Sequence, residues 1–558
     1  LFLINIALTG TQTIYWVTLA VLLITLFAIR KQLGDLKEDL QKNLPFLAFL
    51  VGPLIAAAII FTFSQIPPVG PPAGGGKNPL YTFYQNYPRE LQLPFLTSWK
   101  VSVSAFRDSP IIGTGPATHL FNFTTYKPVE FNSSKYWNLR FDTPFNEYLG
   151  FLATLGGAGF IGLVILTIVY FSTALKTIAF SSTTDEYGQL NKGLALAGLA
   201  FFMLLLLHPS TLVLWVIGLL MLACFVSLNR QLLQNTSLKT ESLNPSNLKF
   251  NFDALPALAL MVLVALTGVG FVFVGKFALA DFHHRKALDA VVQNQVLVAY
   301  NELVAAENLN PKIDLYRTDL AQTNFALANA IASAKGPTEA SPSGSLTEQD
   351  KTNIQQMLSQ AIAEGRNATF ISPRNVSNWE VLGNIYRQIS GVAQNALQFA
   401  LDSYGRAIAL DPLNPNLRLN VGGIYYSLKN YDLAIRFFTD AVNLKPDLPN
   451  AYYNLSVALR DKGDLRSAQA TAERVMALLD PASGDYKTAA DYLSDLKARI
   501  ATTSTGSTPL TTSSLSTGGS TITPPAAQEN SALQKQNLPK VLDLPKKEDI
   551  ATPEAVKK

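Results

Sequence analysis

Phe145-Asn146-Glu147-Tyr148-Leu149-Gly150-Phe151-Leu152-Ala153-Thr154-Leu155-Gly156-Gly157-Ala158-Gly159-Phe160-Ile161-Gly162-Leu163-Val164 has an amide and a carboxylate at its second and third positions and then becomes almost wholly apolar. The apolar run continues to about residue 173. A membrane-crossing helix takes about 20 such residues. The stretch therefore reads as a membrane helix whose polar mouth lies at the water boundary.

Further apolar stretches flank it, at roughly 12–29, 45–63, 193–208, 210–226 and 255–280. The two shorter ones are joined by His208-Pro209-Ser210-Thr211 and read as a helical hairpin. Basic residues of short loops mark the cytoplasmic side. Arg30, Lys31, Lys37 and Lys42, then Lys176 and Lys192, then Arg230, Lys239 and Lys249 put three loops inside. The turn at His208 carries no Lys or Arg, so it falls outside, together with the 64–144 loop and everything after residue 281. The chain starts at Leu1 within apolar sequence and reads as a fragment that has lost earlier membrane helices.

Composition agrees with a mixed chain. Hydrophobic residues make up 48% and charged residues 15% of the 558 residues. That is too apolar for a soluble globule and too polar for a wholly embedded one. A net charge of +4 gives no ground for a nucleic-acid partner. The single cysteine, Cys224, permits no intrachain disulfide, and no His/Cys cluster has metal-ligand spacing.

Beyond residue 282 the pattern is that of soluble amphipathic helices, and it repeats. Trp379-x2-Leu382-Gly383-x2-Tyr386, followed by Ala400, Tyr404, Ala407 and Pro412, fits a tetratricopeptide repeat. Gly422, Tyr425, Ala434, Phe438, Ala441 and Pro446 form a second copy. Tyr452, Leu455, Leu459, Ala468, Ala472 and Val475 form a third. Residues 284–335 read as degenerate copies, and 336–346 as a flexible insertion. His283 and His284 read as interfacial residues. The expected fold class is all-α: a polytopic membrane helix bundle followed by an extracytoplasmic α-solenoid. The expected segments are 1–63 (membrane helices), 64–144 (outside loop), 145–281 (four membrane helices), 282–500 (repeats) and 501–558, a Ser/Thr/Pro-rich tail that cannot bury a core.

The loop carries the chemistry-bearing residues. Trp99, Val103 and Phe106 recur at helical spacing, with Lys100 and Arg107 on an adjacent face. This reads as an interface helix whose cations meet either lipid phosphates or an anionic substrate. Gly113-Thr114-Gly115-Pro116 reads as a tight turn, because no third glycine follows at nucleotide-binding spacing. Asp142-Thr143-Pro144 reads as a helix start with Thr143 as N-cap and Pro144 first in the helix. The positive end of that helix, with Arg140, suits a phosphate, while Asp142 offsets the same dipole. Glu147 lies just inside the apolar run, where ionisable groups are usually functional. Asn146, Gly150, Ala153 and Gly157 share a face, for helix packing or for a substrate chain. His119 and His208 are candidate general bases on the outside.

This order of elements (outside loop, Lys/Arg-bearing Trp helix, Pro-x-x-Gly-x-Gly-Pro turn, Asn-Glu-Tyr-Leu start, Gly-rich helix) resembles the O-antigen ligase and polymerase family of bacterial membrane glycosyltransferases. The likeness spans about residues 97–164. It implies inverting transfer or polymerisation of a glycan from an undecaprenyl-pyrophosphate carrier to an acceptor lipid, glycan or protein, at the outer face of the cytoplasmic membrane. It implies no cofactor and no obligatory metal. Arginines hold the pyrophosphate in that family; Arg89, Lys100, Arg107 and Arg140, with Asn146, are the matching candidates, and Glu147, His119 and His208 the candidates for activating the acceptor. Where relatives carry histidine before the asparagine, this chain has Phe145. The alternative is a non-catalytic scaffold that recruits a protein or peptide partner through its repeats. A transporter would need charges deep in the membrane helices, and none falls at mid-span.

Overall fold

The computed structural model describes residues 91–180, 186–229, 255–335 and 345–503. Arg89, the first two expected membrane stretches, most of the insertion and the tail after residue 503 lie outside the described residues. All regular structure among the described residues is helical. The chain forms two compact units: Leu1–Lys127 with Arg140–Lys249, and Pro128–Leu139 with Phe250–Lys558.

In the first unit α1 (Phe95–Asp108) and α2 (His119–Tyr126) come from the loop. They precede α3 (Glu147–Thr154), α4 (Gly156–Phe180), α5 (Glu186–Leu207) and α6 (Leu212–Leu228). Gly156–Ile178 and Leu190–Leu207 are long and apolar enough to cross a membrane, and Leu212–Leu228 is a shorter apolar helix. Tyr170, Ala174, Leu199, Phe202, Leu205 and Phe225 form their shared core. A buried polar knot ties the far ends together: Asn191 Nδ2 and Thr177 Oγ1 each donate to Asn229 Oδ1 at 3.0 Å. Asn229 Nδ2 returns a bond to Asn191 Oδ1 at 2.6 Å. Interhelical amide pairs of this kind are the polar glue of membrane bundles.

The expected continuous span over 145–173 is corrected. It is two helices, broken where Gly156 takes φ +66°. The expected helix start is also corrected: the N-cap is Asn146, not Thr143. Three residues separate the two positions, and the side-chain cap decides between them. Asn146 Oδ1 accepts from Leu149 N at 2.9 Å, so the first turn forms there.

The second unit opens on α7 (Leu255–Val292), whose stretch Leu260–Val292 is long and apolar enough to cross a membrane. This helix runs unbroken past the boundary expected at 281/282. The solenoid follows as α8 (Val296–Leu309), α9 (Asp314–Lys335), α10 (Glu348–Ile371), α11 (Val376–Gln388), α12 (Ala396–Leu410), α13 (Pro415–Ser427), α14 (Tyr431–Leu444), α15 (Pro449–Lys462), α16 (Leu465–Leu478) and α17 (Gly484–Thr503). The small repeat residues Ala400, Ala407, Ala434, Ala441 and Ala468 are fully buried, so helix pairs close tightly, and Tyr404 and Phe438 fill the space between them. His283 and His284 are bound into this unit: their ring nitrogens meet Glu302 at 2.6 Å and Asp319 at 2.7 Å. They are packing partners at the root of the solenoid.

Candidate functional site

The glycine turn is the keystone of the loop. Breaking a helix leaves backbone carbonyls and N–H groups without partners. Here the turn supplies them. Thr114 N and Gly115 N donate to Ala153 O (3.2 Å) and Thr154 O (2.9 Å), at the end of α3. Gly157 N and Ala158 N donate to Pro110 O (2.8 Å) and Ile111 O (3.1 Å), at the start of α4. The two backbones touch: a Cβ on Gly113 would lie 2.4 Å from Thr154 C, and one on Gly156 would lie 2.5 Å from Gly113 N. The small residues Gly150 and Gly157 also receive the loop, since a Cβ on either would meet Pro144 Cγ or Pro110 O at 3.1 Å. Their face is filled by the chain's own loop, where helix packing or a substrate chain was expected.

Helix α1 packs against α3 and α2 and buries Ser98, Val101, Ser102 and Ala105. Trp99, expected on an interface helix, stays 48% exposed. Lys100 and Arg107 are exposed and two helical turns apart, about 10 Å along one face. Arg140 is half-buried just before α3.

The start of α3 is locked to the hairpin between α5 and α6. Asn146 Nδ2 donates to Leu206 O at 2.7 Å. Gln92 Nε2 bridges Phe145 O (2.7 Å) and Leu207 O (3.2 Å). Phe145 N donates to Ser98 Oγ at 2.9 Å, and its ring meets Phe95 edge-on. Ser210 N donates to Glu147 Oε2 at 3.0 Å. The amides of Asn146 and Gln92 satisfy the open carbonyl end of α5, and the Glu147 carboxylate satisfies the N–H side of the next turn. Asn146 is 5% exposed and has both polar ends engaged, so it positions the site instead of facing a ligand. Asn146→Ala removes a cap and leaves the Leu206 carbonyl unpaired. The expected loss is about 2 kcal/mol of stability, read as a lower unfolding temperature in detergent, with Asn146→Asp intermediate.

The three candidate bases separate sharply. His119 is 3% exposed, and neither ring nitrogen has a partner among the described residues. Burial lowers its pKa to about 4, so it is neutral at neutral pH. The expectation that His119 is available at the surface is corrected: it is part of the buried face of α2. Glu147 is committed to Ser210. His208 is half-exposed, and its Nδ1 lies 2.8 Å from Pro209 O. A carbonyl only accepts, so Nδ1 is the donor in this contact. Gln92 joins the residue before His208 to Phe145, the place where the expected histidine is missing. Gln92, Ser98 and Ser210 carry no motif in the sequence, and the pairing of Ser210 with Glu147, 63 residues away, follows only from the packing of α3 against the hairpin.

Among the described residues no group of three or more His, Cys, Asp or Glu side chains is arranged to hold a metal.

Residues 1–164 match the family described as O-Antigen ligase, and residues 415–448 match a tetratricopeptide repeat. A Photosystem I assembly protein, Ycf3, of Rippkaea orientalis is 30% identical over 105 residues, which are 18% of this chain and 60% of that protein. The chain thus spans 60% of the length of the curated relative it matches. Among solved structures, a thermophilic TPR protein of Thermus thermophilus is 18% identical and covers 40% of this chain and 97% of its own, with a TM-score of 0.27. PilF of Pseudomonas aeruginosa is 14% identical, covers 42% of this chain and 95% of its own, and has a TM-score of 0.29.

Proposed function

We propose that this chain, which carries an O-antigen ligase domain followed by tetratricopeptide repeats, is a membrane glycosyltransferase. It transfers or polymerises a glycan from an undecaprenyl-pyrophosphate carrier at the outer face of a bacterial cytoplasmic membrane. The family match over the loop and its helices carries this reading. The exposed cations on α1 and the half-buried Arg140 support it.

In the proposed reaction Lys100, Arg107 and Arg140, with Arg89, hold the pyrophosphate. Guanidinium forks grip phosphate oxygens in two-pronged fashion, and fixed cations stabilise charge that grows on a leaving group. The acceptor hydroxyl gives its proton to His208 Nε2. Its oxygen bonds the anomeric carbon from the face opposite the carrier as the bond to the phosphate oxygen breaks, releasing undecaprenyl pyrophosphate. Asn146, Gln92 and Glu147 fix the hairpin that carries His208. The repeats bind a protein or peptide partner, and the loop and repeats lie outside the membrane.

Arg107→Ala and Arg140→Ala are each expected to slow glycan transfer by about tenfold, the weight of one charge-assisted contact in the transition state. The assay is transfer from purified lipid-linked glycan by full-length protein in vesicles. Unchanged rates in both single variants would remove the phosphate site.

A further inference from the structure

Residues 128–139 leave the loop and pack within the repeat-bearing unit. Their seat is the edge of the solenoid, where one helix pair turns into the next. Leu410-Asp411-Pro412-Leu413 makes one such turn, and Leu444-Lys445-Pro446-Asp447 makes the next. The Asn132 amide bridges the two. It donates to Leu413 O at 2.8 Å and to Leu444 O at 3.0 Å. Lys445 Nζ donates back to Asn132 O at 2.7 Å and to Asp447 Oδ1 at 2.9 Å. The same ammonium stands 5.0 Å from the centroid of the Trp137 ring. Asn132 is 1% and Lys445 5% exposed.

A lysine is almost never buried to this degree without partners. Here two of its three partners, a carbonyl and a ring face, come from the loop segment. The preceding repeat has Asp411 at the matching place, so the lysine seat occurs at one turn and not at its neighbour. The segment also fits by shape. Val129–Ser133 forms a short 3-10 helix that brings the Asn132 side chain to the turns, and Phe131 beside it is 3% exposed.

We propose that this turn edge is a binding surface whose occupant is the chain's own 128–139 segment, and that the repeats thereby hold the loop that serves glycan transfer. Lys127 and Arg140 are the covalent neighbours of the strap, so its seating limits where both can go. The coupling to transfer rests on the function proposed above; the seat does not.

The test uses the full chain in a Cys224→Ser background. With Ser133→Cys and Asp447→Cys, a short bismaleimide is expected to cross-link within one chain. No cross-link, or linkage only between two chains, overturns the seat. Lys445→Ala is expected to speed tryptic cleavage at Lys135 and Arg140 by about tenfold, because cleavage follows the population of the released strap. Lys445→Arg keeps the parent rate, and both variants keep cooperative unfolding of the repeats. Unchanged cleavage in Lys445→Ala also overturns the seat. Lys445→Ala is further expected to lower transfer by about tenfold. Faster cleavage with unaltered transfer overturns the coupling. If the parent transfers no glycan, the function reading fails, while cross-linking and cleavage still decide the seat.

Discussion

His208→Gln is expected to reduce the initial rate of glycan transfer by about a hundredfold, within the range of a lost general base. Its Nδ1 is the donor to the Pro209 carbonyl, and Nε2 is the nitrogen proposed to take the proton. Glutamine keeps a polar side chain at this place but cannot take a proton. His119 offers no substitute, since burial holds its pKa at about 4 and its ring in the core of α2. Glu147 offers little, since its carboxylate receives the Ser210 N–H. The link from Gln92 to both Phe145 and Leu207 suggests a second variant. Phe145→His combined with His208→Gln is expected to recover part of the rate, because it returns a base to the family's usual position. A His208→Gln enzyme that works within twofold of the parent would end the assignment.

Gly113→Ala carries the largest expected cost to folding. The position has φ +70°, and an added Cβ would sit 2.4–2.5 Å from three backbone atoms of the α3–α4 break. No side chain can move aside, because the atoms in the way are backbone. The turn would have to withdraw, and the four hydrogen bonds that close the broken helix ends would go with it. We expect a loss of roughly 3 kcal/mol or more, seen as a sharp fall in folded yield and unfolding temperature. Gly162→Ala is the control: it lies in the same membrane helix as Gly156, and its Cβ would meet nothing within 4 Å. Equal behaviour of the two variants would refute the keystone role of the turn.

Much of this was legible along the chain. The repeats announced themselves because each copy buries the same small and aromatic positions, so the spacing of Gly422, Ala434, Phe438 and Ala441 is a direct image of the packing. The apolar runs of α4 to α6 were equally plain, because lipid demands continuous apolarity. The turn at Gly113 was readable as a turn, but its partner was not. Nothing local in Leu155-Gly156-Gly157 says that a helix must break there, and apolarity is blind to a break whose open backbone groups are satisfied from outside. The start of α3 slipped for a related reason. Thr143-Pro144 and Asn146 are both sound local starts, and the Leu206 carbonyl on another helix favours the second.

Composition and period along the chain were enough to specify an all-α protein, membrane-crossing helices, a repeat solenoid, and a loop rich in cations and aromatics. Whatever depends on which distant groups meet was settled by the folded packing. It buried His119, turned Asn146 and Glu147 into struts, brought His208 into register with Phe145 through Gln92, and seated residues 128–139 on Lys445. The cause is the same in each case. Periodicity records how a segment meets its average surroundings, whereas a single hydrogen bond to a carbonyl far along the chain leaves no periodic trace.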